Sequence, residues 1–457
     1  MDELKAGFAR LGVEVPEIYL PAKGIDYTRW AVVACDQYSS EKKYWEEVSK
    51  IVGERPSTYK LIYPEAYLNE ADKSDRIARI QKTMKEYLAA GTIENIGPGF
   101  VLVERHTPFG DRARIGLVMA VDLDRYEYGR ESRSLIRPTE GTIVERLPPR
   151  MQIRRGAPLE LPHIMLLIDD PARSVIEPLY AARNSLKKLY DFDLMEDSGH
   201  IRGWQVGDRA ELGAVLKALE KIADPADFRR KYNSESPLLF AVGDGNHSLA
   251  TAKGIWEEIK AALPEGSDLR ETHPARYALV ELINIYDEGL PFHPIHRVLF
   301  NTDEAELVEA IQTACSGEGG KCTAMKLVEC GDRAEMRAAV NSNAADMQRI
   351  GIFAGSRSSY IEFRNSRAKL AVGTIQPILD SFLKSHPKAG IDYIHGDESL
   401  ETLGSGKGNV GLYLPPVDKS SFFGTIVNDG VMPRKTFSMG EAPEKRFYIE
   451  ARRIMPE

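Results

Sequence analysis

Short apolar runs alternate with helically spaced apolar positions along most of the chain. The runs at 114–123, 163–169 and 275–287 predict buried strands, whereas 173–190 has the spacing of a helix with a basic end. Residues 237–263 predict a strand, a turn and an amphipathic helix in direct succession. Strands that alternate with helices favour α/β architecture with mixed α+β packing.

The later part of the chain continues this alternation. Its helical patterns lie at 303–315, 374–385 and 417–430. Its extended patterns lie at 322–330 and 408–415, and 349–355 followed by 360–365 predicts a hairpin. The stretch 316–321 is the most linker-like. We therefore expect four regions: an N-terminal α/β region at 1–125, a core carrying the turn at 126–300, an α/β region at 301–390, and a C-terminal region at 391–457.

Composition narrows the classes of function. The chain has 457 residues, 43% of them hydrophobic, and a formal net charge of -8. This acidic balance disfavours general binding to nucleic acid or to an anionic membrane, although a local basic pocket for a small anion is compatible with it. We expect no nucleic-acid partner and no membrane partner, and the oligomeric state stays open.

Cysteine usage and hydropathy bear on the compartment. Four cysteines occur without a CxxC pair, which favours a reduced compartment. The first residues are charged, and no stretch approaches the roughly 18 apolar residues that a membrane span needs. We therefore expect a cytoplasmic protein.

The segment 243–247, Gly-Asp-Gly-Asn-His, carries the most chemistry. It joins the predicted strand to the predicted helix, and the first amides of a helix form a favourable site for phosphate. Asp244 is a candidate for holding Mg²⁺ or orienting a hydroxyl group, and His247 is a candidate for contacting a phosphoryl group. The alternative is that Asp244 and Asn246 only cap the helix.

At this turn the sequence resembles a known signature. Residues 244–253, DGNHSLATAK, are similar to the DGHHR-type motif of the ParB/sulfiredoxin superfamily, which includes ParB partition proteins, sulfiredoxin and free-serine kinases. Nearly the whole chain also resembles a bacterial and archaeal family, long of unknown function, that carries a similar motif. The matching segments are 34–45, 137–151, 242–253, 294–300 and 432–442.

The resemblance implies a ParB/sulfiredoxin-like core with additional α/β regions. It also implies phosphoryl transfer to a small alcohol such as free L-serine, with Asp244, Asn246 and His247 in the site. The usual signature has arginine where this chain has Ser248, and histidine where it has Asn246. Loss of that arginine removes a bidentate phosphate donor, so pyrophosphate becomes a candidate donor beside ATP or ADP.

Other basic residues would then neutralise the donor. The segments 137–155 and 432–442 supply candidates. The alternative for the first segment is a solvated helix face, and the alternative for the second is a surface loop. The candidate phosphate- or substrate-binding residues, with the turn residues included, are Asn246, Gly245, Ser248, Arg137, Glu140, Arg146, Arg150, His296, Arg297, Arg434 and Lys435.

Asp36 is the candidate general base. It follows the apolar run WAVVAC and so ends another predicted strand, although it could also cap the helix that follows. His296 and Arg297 are candidates for a phosphate contact, and the alternative for the histidine is a structural role.

The leading hypothesis is a Mg²⁺-dependent kinase of free serine or a similar small hydroxy compound. Asp36, Asp244 and His247 are its catalytic residues, and Asp244 is its metal ligand. One alternative is a nucleotide-binding regulatory module of the ParB type. Another is a phosphohydrolase that uses the same site with water as the acceptor.

Overall fold

The structure is a computed structural model that describes residues 2–129, 131–316, 322–342 and 347–456. The chain forms two compact units. Unit 1 consists of Met1–Leu290 together with Gly440–Glu457, and unit 2 consists of Pro291–Met439. Unit 2 is thus inserted into the chain of unit 1.

Helices and strands are numbered here along the whole chain. The helices of unit 1 are α1 (Asp2–Arg10), α2 (Tyr27–Trp30), α3 (Lys42–Val52), α4 (Lys73–Ala89), α5 (Leu147–Arg154), α6 (Glu177–Ala181), α7 (Arg209–Ile222), α8 (Pro225–Tyr232), α9 (Asn246–Ala262) and α10 (Leu269–Thr272). Short 3-10 helices lie at Thr58–Leu61, Glu65–Tyr67, Leu123–Arg125, Val144–Arg146, Arg183–Ser185, Pro274–Arg276 and Ala442–Glu444.

The strands of unit 1 are β1 (Val13–Glu14), β2 (Glu17–Pro21), β3 (Val32–Val33), β4 (Ile93–Pro98), β5 (Phe100–His106), β6 (Arg114–Asp122), β7 (Ile136–Pro138), β8 (Leu159–Glu160), β9 (Met165–Ile168), β10 (Lys187–Asp193), β11 (His200–Val206), β12 (Phe240–Asp244), β13 (Tyr277–Asn284), β22 (Phe447–Tyr448) and β23 (Arg452–Arg453).

A mixed sheet with the strand order β10-β11-β5-β6-β13-β9-β12-β7 forms the centre of unit 1. β1 also pairs with β6. All neighbouring pairs in this order are antiparallel except β13 with β9 and β12 with β7, which are parallel. The C-terminal segment adds two short ribbons, in which β22 pairs with β3 and β23 pairs with β8.

Both faces of this sheet are buried, which explains why β6 is apolar almost throughout. Alternate side chains of a strand point to opposite faces. Leu117 and Met119 accordingly pack with α1, α7 and α9, whereas Val118 packs with α3, α4 and the C-terminal segment. The sheet therefore has one hydrophobic core on each side.

Unit 2 is built on an antiparallel sheet with the order β16-β18-β17-β20-β15-β19. The strands of unit 2 are β14 (His293–Pro294), β15 (His296–Phe300), β16 (Ala324–Cys330), β17 (Met347–Ala354), β18 (Arg357–Arg364), β19 (Gly390–Ile394), β20 (Asn409–Tyr413) and β21 (Phe437–Ser438), of which β14 and β21 form a separate pair. Its helices are α11 (Glu304–Ser316), α12 (Arg333–Asn341), α13 (Ala371–Ser385), α14 (Asp397–Gly404) and α15 (Lys419–Asp429).

The expected mixed α/β class is confirmed, and so are the strand, turn and helix around residue 244. The helix expected at 173–190 is wrong. Only Glu177–Ala181 forms an α-helix there, and Lys187–Asp193 forms β10, which pairs with β11. Cross-strand pairing and the packing of Tyr190 into the core outweigh the local helical spacing.

The four expected regions differ from the two units, because strands on both sides of residue 125 share the central sheet. The linker-like stretch lies outside the described residues beyond Ser316. Cys315 and Cys322 form a disulfide with their Cα atoms 4.9 Å apart, whereas Cys35 and Cys330 are not disulfide-bonded. In the part of the chain that the structure describes, no helix combines the length and apolar character of a membrane span.

Candidate functional site

Strand directions bring three parts of unit 1 to the same edge of the central sheet. β7 and β12 are parallel, with Val242 opposite Pro138, so their carboxyl ends lie side by side. β9 runs the opposite way, and its first residue, Met165, lies opposite Asp244. Three segments therefore meet at one edge of the sheet: the loop after Pro138, the residue His163 before Ile164, and the turn after Asp244.

The turn after β12 requires glycine at position 245. Gly245 has a φ of 79°, and a Cβ atom there would lie 3.1 Å from the Cα atom of Ile164. Asp244 accepts a hydrogen bond from the amide of Gly245 at 2.9 Å. Helix α9 then begins at Asn246 without a side-chain cap, so the alternative that Asp244 or Asn246 only caps the helix is wrong.

Asp244 forms an ion pair with Lys445 of the C-terminal segment. The carboxylate Oδ2 lies 3.1 Å from the ammonium nitrogen, and the Asp244 side chain remains partly exposed. Burial raises the pKa of Asp244, but the ammonium of Lys445 and the hydrogen bond from the Gly245 amide hold this pKa below its usual value. The carboxylate is therefore ionised, and it has a cation beside it.

Asp36 lies at the same site through its contact with His163. β3 pairs with β22, and the amide of Ala34 donates to the carbonyl of Arg446, so residues after Val33 lie near residues before Phe447. The Oδ2 atom of Asp36 lies 3.9 Å from Nε2 of His163. The structure thus brings Asp36 and Asp244 to the same histidine.

A partly buried ion pair lies next to the backbone beside Asp36. Arg150 of α5 donates to both carboxylate oxygens of Glu65, at 2.8 Å and 2.6 Å. The amide of Glu65 donates to the carbonyl of Cys35 at 2.8 Å. Burial raises the pKa of Glu65, and the charge of Asp36 adds to this rise, whereas Arg150 opposes it. Arg150 therefore contacts Glu65 beside the site, and its contact with phosphate stays a prediction.

The loop after β7 covers the start of α9. Thr139 donates its hydroxyl hydrogen to the carbonyl of Val242 at 2.7 Å, and the amide of Ile143 donates to Nε2 of His247 at 3.3 Å. His247 therefore links the two segments, while Glu140 in the same loop is half-buried.

The remaining predicted residues of unit 1 take different positions. Arg137 is buried, and it donates to the carbonyl oxygens of Ser134, Ser236 and Pro237. Arg146 is exposed, and its carbonyl accepts a hydrogen bond from Arg150. Ser248 lies half-buried in the first turn of α9. A contact of these three side chains with phosphate stays a prediction.

Four predicted residues belong to unit 2. His296 is buried, with Nδ1 accepting from the amide of Leu414 at 3.1 Å, and burial lowers its pKa to about 4 although Asp397 opposes the fall. Arg297 is buried and donates to Gln376. The other two residues, Arg434 and Lys435, are exposed.

Oxygen ligands for Mg²⁺ are available at the turn. The carboxylate of Asp244 is partly exposed, and the buried Oδ1 atom of Asn246 has no hydrogen-bond partner among the described residues. Mg²⁺ in proteins uses one or two carboxylates and completes its shell with water and substrate phosphate. The residues fit that cation, although the described residues contain no cluster of three or more His, Cys, Asp or Glu side chains suited to a metal.

Sequence reasoning missed four residues of this site: Glu65, His163, Lys445 and Tyr448. A weak signal existed for two of them, because His163 directly precedes an apolar run and Lys445 lies just before FYI. Their proximity to residue 244 depends on strand pairings between distant segments, which no local pattern reveals.

The chain has weak similarity to solved structures. Three solved structures resemble it at low TM-scores: a free serine kinase in complex with AMP (TM-score 0.36, 12% identity, covering 73% of this chain and 90% of that one), a mutant of a free serine kinase in complex with ADP (0.36, 11%, 73% and 91%), and a conserved hypothetical protein from Pyrococcus furiosus (0.35, 9%, 74% and 95%). A TM-score below 0.5 identifies neither a shared activity nor shared site residues.

The family model gives a broader match. No curated protein matches the chain. Residues 19–382 match one family model, which covers well over half of the chain. The chain therefore belongs to the family described as "Protein of unknown function (DUF1015)".

Proposed function

We propose that this protein is a Mg²⁺-dependent phosphotransferase that phosphorylates free L-serine or a similar small hydroxy compound. Pyrophosphate or a nucleotide such as ATP or ADP is the proposed donor. One observation carries the proposal: Asp36, His163, Asp244 and Lys445 converge beside the uncapped start of α9. A relationship to the free-serine kinases of the ParB/sulfiredoxin superfamily is part of the same proposal.

The donor phosphates are proposed to bind at the start of α9. The first amides of a helix lack internal acceptors, and the helix dipole favours an anion there. Lys445 supplies a positive charge next to Asp244. It thereby takes the electrostatic role of the arginine that the resembling signature has at the position of Ser248.

Asp36 is proposed as the general base. Its carboxylate is half-buried, accepts a hydrogen bond from Gln37 at 3.0 Å and has His163 within 3.9 Å. It receives the proton as the hydroxyl O–H bond breaks and the new O–P bond forms. The bridging O–P bond of the donor breaks in the same transfer and releases phosphate or the shortened nucleotide.

The proposed ligands of Mg²⁺ are Asp244 and Asn246, with the donor phosphate. The cation would supply charge neutralisation for the transferred group. His247 fixes the loop after β7 against α9 through the amide of Ile143, so this loop is held over the proposed phosphate site.

The decisive experiment measures O-phosphoserine formation by the full chain. Purified protein is incubated with Mg²⁺ and L-serine, separately with pyrophosphate, ATP and ADP, and the product is identified by mass spectrometry. We expect product with at least one donor. Absence of product with every donor over a range of temperatures contradicts the proposal, and phosphate release without serine indicates a phosphohydrolase instead.

Two variants test the assigned roles. Lys445→Met should lower kcat/KM by about 10²–10³-fold, because one charge at the transferring phosphate is lost. Asp36→Asn should lower kcat by about 10²–10⁴-fold through loss of the base. The matched control is Lys217→Met on the exposed face of α7, which should leave the rate unchanged. Equal rates for Lys445→Met and the control contradict the assigned phosphate site.

A further inference from the structure

A hydrogen-bonded chain links the backbone beside Asp36 to the ring of His163. The amide of Cys35 donates to the phenol oxygen of Tyr448 at 3.1 Å. That phenol lies 2.8 Å from Nδ1 of His163, and the two rings meet edge to face with their centroids 5.6 Å apart. Tyr448 therefore lies between the backbone of residue 35 and the imidazole.

The direction of the proton in this chain follows from donor and acceptor capacity. The phenol oxygen already accepts the amide hydrogen of Cys35, and its own hydrogen needs an acceptor. Burial raises the pKa of the Tyr448 phenol well above its usual value, so the phenol keeps that hydrogen. In the neutral ring, Nδ1 of His163 is a much stronger acceptor than the neighbouring Cys35 thiol, so Nδ1 accepts the phenol hydrogen and the ring proton lies on Nε2.

The backbone of His163 is fixed from the same C-terminal segment. Arg446 donates from Nε to the carbonyl of Pro162 at 3.0 Å, directly before His163. Arg446 is itself buried, with its guanidinium between Glu281 and Glu450. Both the main chain and the ring of His163 are thus held, and the Nε2–H group faces Asp36 Oδ2 at 3.9 Å.

We propose that Tyr448 is a positioning residue that fixes His163 in its Nε2–H tautomer and thereby directs an N–H donor at Asp36. The tautomer rests on the hydrogen-bond geometry and on the donor and acceptor capacity of the two rings, whereas its kinetic consequence rests on the proposed phosphotransfer. A fixed donor orients the Asp36 carboxylate for the substrate hydroxyl. Catalytic hydrogen bonds are often long without substrate and shorten when it binds, which fits the 3.9 Å separation.

Charged groups from several elements face His163. Asp36 follows β3, Glu65 begins a 3-10 helix, and Asp244 ends β12. Their positive partners are Arg150 for Glu65 and Lys445 for Asp244. Among the described residues, His163 is the basic side chain that lies within 3.9 Å of the Asp36 carboxylate, which is why the tautomer of this ring matters for the proposed base.

The experiment is nitrogen-15 NMR of the histidine rings in the full chain, with Tyr448→Phe as the variant. The His163 signals are assigned by their loss in His163→Gln. In the unaltered protein we expect the neutral His163 ring as the single Nε2–H tautomer, and in Tyr448→Phe a mixture of both tautomers. The control Tyr59→Phe makes the same change at a ring that stacks on Trp45, and it should leave the His163 signals unchanged.

Two results overturn the assignment regardless of any enzyme activity: a proton on Nδ1 in the unaltered protein, or an unchanged tautomer in Tyr448→Phe with an unaltered thermal unfolding midpoint. With an active enzyme, Tyr448→Phe should lower kcat about tenfold and leave KM within about twofold. A changed tautomer with an unchanged kcat overturns the positioning role. Failure of serine phosphorylation itself leaves the NMR result to decide the tautomer.

Discussion

The ion pair between Asp244 and Lys445 is the contact on which the proposed chemistry depends most. It keeps the carboxylate ionised in a partly buried position, because the nearby ammonium offsets the cost of burial. An incoming phosphate would attract the same ammonium group. Asp244 would then be released towards a cation, so donor binding and Mg²⁺ binding should favour each other.

Gly245→Ala tests the backbone of the turn. The variant forces a side chain into a left-handed conformation and places Cβ 3.1 Å from Ile164, so we expect a loss of about 1–3 kcal/mol in the free energy of unfolding. Urea denaturation provides the measurement. Gly266→Ala is the matched control, because Gly266 has a φ of 76° with open space around its Cβ position. A loss no greater than that of the control would show that the contact with Ile164 costs nothing.

The residues of the site were only partly predictable from the sequence. Asp36 and Asp244 were found because a polar residue at the end of an apolar run marks a strand end in an α/β protein. Lys445 and Tyr448 were missed because β22 is only two residues long and pairs with a strand more than 400 residues earlier. Such a pairing depends on tertiary packing and leaves no local pattern.

At the scale of elements, β13 and the C-terminal segment are joined by buried charges. Glu281 of β13 forms an ion pair with Arg446, and Arg446 also donates to Glu450 at 2.6 Å. The Nε atom of Arg114 in β6 lies 4.0 Å from Oε1 of Glu281. These contacts position the ribbon that carries Lys445 and Tyr448.

Glu281→Gln should therefore destabilise the protein strongly. The substitution removes the nearby carboxylate of buried Arg114 and leaves buried Arg446 with Glu450 alone, which costs about 3–5 kcal/mol in the free energy of unfolding. The control is Glu258→Gln, which breaks an exposed ion pair with Arg155 and should cost less than about 1 kcal/mol. Urea denaturation of both variants gives the comparison, and similar losses would refute the role of the buried pair.

Elements with strong local patterns were predicted best. The strand, turn and helix at 237–263 were found, and so were the hairpin strands at 347–364, because their apolar spacing matches their burial. The segment 173–190 was misread, since its helical spacing continues into residues that form β10. Pairing with β11 decides that conformation, and the partner strand lies outside any local window.

At the scale of the whole molecule, a buried histidine of unit 2 makes the stability of the protein depend on pH. Unit 2 contains a buried histidine, His296, whose pKa burial lowers from 6.5 to about 4. Below pH 6.5 the unfolded chain binds a proton at His296, whereas the folded chain binds it only below about pH 4. Stability is therefore lost as the pH falls through this window, by about 3 kcal/mol for this group.

His296→Asn tests this pH dependence. Asparagine keeps an acceptor for the amide of Leu414 but does not titrate, so the stability lost between pH 7 and pH 4.5 should be smaller than in the unaltered protein by about 2–3 kcal/mol. The control is His293→Asn, at an exposed position of the neighbouring strand β14. Identical pH slopes for His296→Asn and the unaltered chain would contradict the assignment.

The insertion of unit 2 into unit 1 has a consequence for protein synthesis. Residues 440–457 leave the ribosome only after all of unit 2 has been translated, and they carry Lys445 and Tyr448. A nascent chain that already contains Asp36, His163 and Asp244 therefore still lacks the ammonium group next to Asp244. Under the proposed function, translation that stops before residue 445 yields a polypeptide that lacks the proposed phosphate-binding ammonium group.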